Sequence, residues 1–144
     1  MNMNMNMNID SLPARPQPTP SEESQPYWDA LREHRLVFQQ CAECGKLRHY
    51  PRPMCDGCYS MKVAWSESAG VGTVESWTIA HHPFHLAFKS AVPYTLVTVE
   101  LEDGVRMHAP WRGAVATLAL GLPVRVIFER IDAGLTLPAF VAAD

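Results

Sequence analysis

The second half of the chain alternates short apolar runs with turn residues, a pattern typical of antiparallel β-structure. Beyond Trp65 these runs are rich in β-branched and aromatic residues. They predict five strands, at residues 70–79, 94–101, 105–110, 124–129 and 136–141. The triplets Glu102-Asp103-Gly104 and Asp132-Ala133-Gly134 predict tight hairpins after the second and fourth strands. Five antiparallel strands indicate an OB-type barrel, with an open β-sandwich as the alternative.

The second predicted strand, YTLVTVEL (94–101), carries apolar residues at both alternating sets of positions. Strict alternation would indicate one buried face and one exposed face. Apolar residues on both sides instead indicate a strand that is covered on both faces.

The first 40 residues predict a tail, one short helix and one strand. In PYWDALREHR (26–35), Pro26 suits the first turn of a helix, and Tyr27, Trp28 and Leu31 lie near helical spacing. LVFQQ (36–40) is a strand by composition. Residues 1–25 combine a Met-Asn repeat with Pro, Ser and acidic residues, a composition that does not bury a core. We therefore expect residues 1–25 to be disordered or loosely attached.

All cysteines of the chain lie in two Cys-x-x-Cys pairs, in CAECGKLRHYPRPMCDGC (41–58). Two residues between thiols let both sulfurs face one point, and ten residues between the pairs let the chain double back. This is the zinc-ribbon pattern. It predicts one structural zinc ion with four thiolate ligands, which are Cys41, Cys44, Cys55 and Cys58.

Other uses of the four thiols fit the spacing less well. Rubredoxin-type iron is the main rival, because thiolate-only sites also accept iron. A thioredoxin-like redox role is weaker, because one redox-active pair is usual and the second pair is then unexplained. His49 lies between the pairs, but four cysteines already complete the coordination shell, so we expect it on the surface or next to the ligands.

Composition limits the function further. The chain has 144 residues, 47% of them apolar, which suits one modest core and excludes a large two-domain enzyme. Its net charge is −3, and only residues 41–65 are locally basic, by about +2. The sequence contains no run of about 18 apolar residues, and the N-terminus lacks the regions of a signal peptide. We therefore expect a cytoplasmic protein that does not enter a membrane.

Two connections are longer than a minimal barrel needs. AHHPFHLAFKSAVP (80–93) holds His81, His82 and His85, which could bind metal or act as acid and base, but no carboxylate partner supports either role. We interpret it as a surface loop. The second connection, 107–122, carries Trp111 and other apolar side chains that either cover the barrel or contact another subunit.

Two functional classes receive little support from the residues. OB barrels often bind single-stranded nucleic acid, but the predicted barrel is acidic, with only Lys89, Arg106, Arg112, Arg125 and Arg130 available to line a groove. The sequence contains no phosphate loop, no nucleophile motif and no cysteine outside the two pairs, so catalysis by this chain alone has little support.

The order of several sequence blocks resembles one protein family. The blocks are YWDAL, CAEC, PRPMCDGC, GVGTVESWTI, PYTLVTVELEDGVRM, GLPVRVIFE and LTLPAF, and they cover residues 26–141. They are similar to the domain of unknown function 35 (DUF35) family, whose members accompany thiolase-like enzymes. The resemblance implies a mainly β (α+β) fold, with an N-terminal helix, a rubredoxin-like zinc ribbon and a C-terminal five-stranded OB-fold barrel. We expect a tail at 1–25, the helix and lead-in strand at 26–40, the ribbon at 41–65 and the OB fold at 66–144.

The resemblance also implies a role as a non-catalytic subunit. In this family a thiolase-like partner carries out chemistry on acyl-CoA, and the ribbon-OB subunit buttresses it and helps to form the acyl-CoA channel. Phe84, Phe88 and Trp111 would suit a partner surface, because interface cores favour aromatic residues. Lys89, Arg106 and Arg112 could meet CoA phosphates. The competing classes are an OB-fold nucleic-acid binder and a stand-alone acyl-CoA-binding protein.

Overall fold

The computed structural model describes residues 14–144, which form one α-helix and eight β-strands. The Met-Asn repeat lies outside these residues. The elements in chain order are α1 (Gln25–Arg32), β1 (Leu36–Cys41), β2 (Leu47–Arg48), β3 (Val63–Ser68), β4 (Val71–Ala80), β5 (Tyr94–Leu101), β6 (Arg106–Pro110), β7 (Pro123–Asp132) and β8 (Leu135–Ala142). The protein is therefore mainly β with an N-terminal helix, as predicted.

The helix α1 ends three residues before the predicted limit. Its apolar side buries Tyr27, Ala30 and Leu31 and packs against β1 and β8. His34 adopts a positive φ of 57°, and the Arg35 N–H donates to the carbonyl of Ala30 at 2.9 Å. This left-handed turn closes the helix, at a position where glycine is more common. None of the helices within residues 14–144 has the length and apolar character needed to cross a membrane.

All five strands predicted after Trp65 are confirmed, and they form one antiparallel sheet of order β6-β5-β4-β7-β8. The two predicted hairpins are also confirmed, with Gly104 at φ +88° and the Gly134 N–H bonded to Asp132 Oδ1 at 2.8 Å. The sheet curls so that β6 approaches β8, and one isolated parallel bridge joins Trp111, the residue after β6, to Phe140 of β8. The barrel is thus not closed by a continuous ladder.

The strand β4 has two different halves. Residues Val71–Thr73 pair with β7 on one side, and the whole strand pairs with β5 on the other. The pairing with β7 stops because β7 begins at Pro123, opposite Thr73. A bulge at Glu75 then shifts the register with β5. Beyond the bulge, β4 extends past the barrel with only one strand beside it among the described residues.

Two strands near the cysteines, β2 and β3, were not predicted. With β1 they form a second antiparallel sheet of order β2-β1-β3. In β1, Leu36 and Phe38 belong to the same buried cluster as Val97, Val99 and Phe140 of the barrel. Because the same strand ends at Cys41, one continuous element connects the shared core with the cysteine pairs.

Candidate metal centre and neighbouring surfaces

The four cysteine sulfurs converge on one point. All four Sγ atoms lie within 4.8 Å of one another. Cys41 and Cys58 are 3.5 Å apart, and Cys44 and Cys55 are 3.6 Å apart, measured between Sγ atoms. A tetrahedral ion with Zn–S bonds of about 2.3 Å sets neighbouring sulfurs about 3.8 Å apart. The thiols are therefore spaced as one tetrahedral zinc site requires, and they are the residues that would hold the ion.

Two similar backbone turns position the sulfurs. In the first turn, the Gly45 N–H donates to the Cys41 carbonyl at 2.9 Å, with Gly45 at φ +78°. In the second turn, the Tyr59 N–H donates to the Cys55 carbonyl at 3.0 Å, with Tyr59 at φ +65°. Glycine adopts a positive φ without a steric penalty, whereas tyrosine does not. The second turn therefore holds a conformation that its own side chain disfavours, which indicates that its surroundings determine the geometry.

Backbone N–H groups favour the thiolate form of the two buried sulfurs. Hydrogen bonds from the N–H groups of Cys44 and Glu43 lower the pKa of Cys41 to about 6. Those of Cys58 and Gly57 likewise lower the pKa of Cys55. At Cys58 the Ser60 N–H acts in the same direction, but the neighbouring Cys41 sulfur raises the pKa to about 12, because adjacent thiolates repel one another. A divalent cation removes that repulsion, so the donor set suits a metal ion.

His49 lies among aromatic rings rather than on the surface. Its ring is centred 5.1 Å from Tyr27 and 5.3 Å from Phe38. Its Nδ1 atom is buried and has no hydrogen-bond partner in the described structure. Burial, with a smaller contribution from the charge of His108, lowers the pKa of His49 from 6.5 to about 4. The imidazole is therefore a neutral part of the core at neutral pH.

This burial predicts a loss of stability in mild acid. Between pH 6.5 and about 4 the unfolded chain binds a proton at His49 that the folded chain does not bind, so the free energy of unfolding falls as the pH is lowered. The expected loss is about 3 kcal/mol across this range. Urea unfolding of the wild type and of His49→Phe at pH 7 and pH 4.5 separates this effect from acid effects on the thiols. An NMR titration that shows a charged His49 at pH 6 would contradict the prediction.

A buried polar network that the sequence did not reveal braces the segment between the cysteine pairs. Gln39 Oε1 accepts hydrogen bonds of 2.8 Å from Arg48 Nε and from the Arg52 N–H. Arg48 also donates to the Arg52 carbonyl at 2.9 Å, while its Nη1 has no partner. Gln39 and Arg48 are both buried. Together these two side chains hold the segment between the cysteine pairs against β1. Neither the type nor the spacing of Gln39 and Arg48 in the sequence indicates that they form this network.

The histidines of the 80–93 connection do not form a site together. His85 Nδ1 accepts the Ala87 N–H at 3.0 Å and thereby caps a short 3₁₀ turn, Leu86–Phe88. His81 and His82 are exposed, and His82 lies edge-on to Phe84. Among the described residues, the only cluster suited to a metal ion is the four cysteines. The surface-loop interpretation agrees with this arrangement.

The six residues predicted to contact a partner or CoA differ widely in how exposed their side chains are. Phe84 is 83% exposed, and Lys89 is also exposed. Phe88 is half-buried beneath the Arg15 guanidinium, which lies 4.9 Å from its ring centre. Trp111 is only 4% exposed and belongs to the core. Of the two interpretations of Trp111, the structure therefore agrees with a cover for the barrel and contradicts a free partner surface.

Two of the predicted cations are neutralised within the chain. Arg106 Nε lies 2.6 Å from Glu75 Oε2. Arg112 forms a two-pronged ion pair with Glu129, at 2.7 and 2.9 Å, and this pairing raises the pKa of Arg112. The sequence gave no sign of either pair, since the partners are 31 and 17 positions apart.

One open cavity of about 510 Å³ lies on the outer face of β5. Phe88, Tyr94 and Leu96 supply its apolar walls, and Arg15 and Arg112 also line it. This places two of the predicted contact residues, Phe88 and Arg112, at one site, and adds Arg15, which sequence reasoning had assigned to the tail. Apolar walls with a few positive groups suit an amphipathic anion.

Two family models together match most of the described chain. The model for the rubredoxin-like zinc ribbon domain of ChsH2 matches residues 28–63, and the model for the C-terminal OB-fold domain of ChsH2 matches residues 65–129. These matches, with the four clustered thiols, confirm the predicted cofactor, one zinc ion, and the predicted architecture of ribbon and OB fold.

Similar proteins include two subunits of hydratases. The chain is 39% identical over 127 residues to a probable enoyl-CoA hydratase alpha subunit of Thermomonospora curvata, covering 88% of this chain and 39% of that protein. It is 37% identical over 113 residues to the 3-oxo-4,17-pregnadiene-20-carboxyl-CoA hydratase alpha subunit of Mycobacterium tuberculosis, covering 78% of this chain and 35% of that protein. The chain thus spans less than two fifths of the length of these two curated relatives.

A solved structure matches over its full length. It is a chain of the Ltp2-ChsH2(DUF35) aldolase, with a TM-score of 0.80 and 38% sequence identity, and the match covers 89% of this chain and 100% of that chain. The ribbon, the barrel and their order along the sequence therefore have one counterpart of the same extent. On these grounds the protein belongs to the DUF35 family, as a ChsH2-type zinc-ribbon and OB-fold chain.

Proposed function

We propose that this protein is a non-catalytic accessory subunit of a thiolase-type acyl-CoA or acyltransferase complex. In this proposal Cys41, Cys44, Cys55 and Cys58 ligate one structural zinc ion. The barrel stabilises a thiolase-like partner and forms part of the channel through which the acyl-CoA passes. The partner forms or cleaves the C–C bond, or transfers the acyl group.

The observation that carries this proposal is the full-length correspondence with the ChsH2(DUF35) chain of an aldolase complex. The match extends over 100% of that chain, so both its ribbon and its OB fold correspond to those of this protein. The DUF35 resemblance supplies the thiolase-like character of the partner. The hydratase relatives carry the same fold as part of a longer chain, again in a protein named as a subunit.

The cavity on β5 supports a contact with the acyl-CoA. Arg15 contributes positive charge to its lining, whereas Arg112 is paired with Glu129, and Phe88 and Leu96 offer apolar surface. A CoA ester combines phosphates with an apolar acyl chain, so both parts find suitable groups here. Trp111 takes no direct part, because it is buried, and Arg106 is held by Glu75. Lys89 and Phe84 remain open to a partner surface.

The test is isolation of the tagged protein from its native cells, with mass spectrometry and zinc analysis of the same sample. We expect a thiolase-like protein in a simple ratio, and one zinc per chain. If a hydratase subunit is recovered instead, the protein is still an accessory subunit, but its partner is not thiolase-like. Recovery of the chain alone, with tight CoA-ester binding, would favour the stand-alone binder. Salt-dependent binding to single-stranded nucleic acid would favour the alternative of an OB-fold nucleic-acid-binding protein. Two of the five barrel cations predicted for that role, Arg106 and Arg112, are ion-paired.

A further inference from the structure

The part of β4 that extends past the barrel leaves core-side residues partly exposed. Trp77 lies opposite Val97, and Ile79 lies opposite Thr95, on adjacent strands. Directly opposite residues project to the same face of a sheet, so Trp77 and Ile79 share the face of Val97, which is 0% exposed. Yet Trp77 is 36% exposed and Ile79 is 38% exposed. The core face therefore continues onto β4, but residues 14–144 cover it only in part there.

The main-chain groups of the same two residues point to an open edge. On β5, the Leu101 N–H donates to the Val105 carbonyl, and the Thr95 carbonyl accepts the Trp111 N–H. Because hydrogen bonding alternates along an antiparallel strand, odd-numbered residues of β5 bond toward β6 and even-numbered residues bond toward β4. The β4 residues opposite those even-numbered positions are Ser76, Thr78 and Ala80. Trp77 and Ile79 therefore direct their N–H and C=O groups away from β5, where no strand of the described chain lies.

We propose that this edge, residues 75–80 of β4, accepts an extended segment of the partner protein as an additional antiparallel or parallel strand. The inference rests on the proposed function, which supplies the partner, and it identifies where that partner binds. A free edge is a template for main-chain hydrogen bonds, and uncovered apolar side chains beside it select a segment with apolar residues at alternate positions. The connection that follows β4 carries two further exposed apolar side chains, Phe84 and Leu86, which are 83% and 52% exposed.

The structure corrects the expectation that β5, the strand beside this edge, is covered on both faces. Its positions alternate between buried and more exposed ones, and Leu96 is 37% exposed, so among the described residues only the core face of β5 is covered. On the neighbouring strand β4 this core face is less well covered beyond Val74, where Trp77 and Ile79 are partly exposed. Six residues of β-strand extend over about 20 Å, long enough for a short paired segment. A charged ligand does not suit this edge, because the nearby carboxylate of Glu75 is already engaged by Arg106.

Three variants of the purified complex test the edge. Ile79→Ala removes the side chain but keeps the outward N–H, whereas Ile79→Pro also removes that N–H. Proline is tolerated at an edge where its N–H faced solvent, so both variants should fold, and a thermal melt of each isolated chain checks this. Leu120→Ala is the matched control, because Leu120 is an apolar residue, 74% exposed, outside this edge.

We expect Ile79→Pro to bind the partner at least about tenfold more weakly than Ile79→Ala, since an added strand would lose a hydrogen bond and leave a carbonyl unpaired. Leu120→Ala should bind like the wild type. Equal affinities of the alanine and proline variants would overturn strand addition. So would a wild-type homodimer that only Ile79→Pro dissociates, because the edge would then belong to a second copy of this chain. If the isolation recovers no partner protein, the proposed function fails, and this inference fails with it.

Discussion

Replacement of Cys55 by serine is expected to release the zinc ion, unfold the ribbon and abolish assembly with the partner. Cys55 Sγ belongs to the four-thiol cluster, and the residue is fully buried. Binding of structural zinc contributes about 10–16 kcal/mol in zinc-finger peptides, which is as large as the whole stability of a typical domain. Serine offers a poor ligand in its place, so the loss should be close to complete. Zinc content, far-UV circular dichroism and hydrogen exchange of the amides in β1 measure it.

The neighbouring residue supplies a control for the cysteine experiment. Met54 is 45% exposed and lies outside the thiol cluster, so Met54→Ser should retain zinc and fold normally. A chelator should reproduce the Cys55→Ser result in the wild type. Full activity of the partner complex after verified zinc loss would contradict the structural role of the metal, and it would leave the barrel alone responsible for assembly.

Truncation of Trp111 to alanine should lower the free energy of unfolding by about 3–5 kcal/mol, which is the usual cost of removing a large aromatic side chain from a core. Trp111 is buried, and its indole N–H donates to the Ala114 carbonyl at 3.3 Å. Its backbone N–H, which donates to the Thr95 carbonyl, and its backbone bridge to Phe140 are kept in the alanine variant. Its ring also lies against Gly113, where a Cβ would come within 2.7 Å of the ring. Urea unfolding of the isolated chain measures the change.

An exposed aromatic residue separates this core effect from a loss of partner contact. Phe84→Ala should change the stability by less than about 0.5 kcal/mol, because Phe84 is largely solvent-exposed. If Trp111→Ala keeps full stability but weakens the complex, Trp111 is a contact residue after all, and the core assignment is wrong.

The barrel strands were predictable because each is a compact apolar run between strong turn signals. The predicted run 94–101 coincides with β5, and its hairpin ends at Gly104, which has the positive φ that such turns favour. In contrast, β3 has the sequence VAWSES and is mostly exposed or half-buried, so neither its composition nor its alternation distinguishes it from a loop. It becomes a strand through its pairing with β1, which is a tertiary effect.

The metal ligands were also predictable, because their spacing along the chain sets their geometry. The predicted partner or CoA contact residues were less predictable, because whether each side chain is free to bind depends on residues distant in sequence. Arg112 is of a residue type that often binds phosphate, but it is paired with Glu129 of β7, which is 17 positions away in sequence. Arg15 belongs by composition to the tail, yet it lies over Phe88. Ion pairs and stacking of this kind arise only when the sheet curls.

The contact between α1 and β8 joins the two ends of the described chain. During synthesis the ribosome releases Tyr27 and Leu31 early, but β8, one of the two strands against which the helix packs, is translated more than a hundred residues later. Contacts this distant in sequence slow folding, and until then the nascent helix lacks the part of its cover that β8 supplies. A premature stop codon near the end of the message would therefore leave α1 with only β1 to pack against, although it would not remove any cysteine.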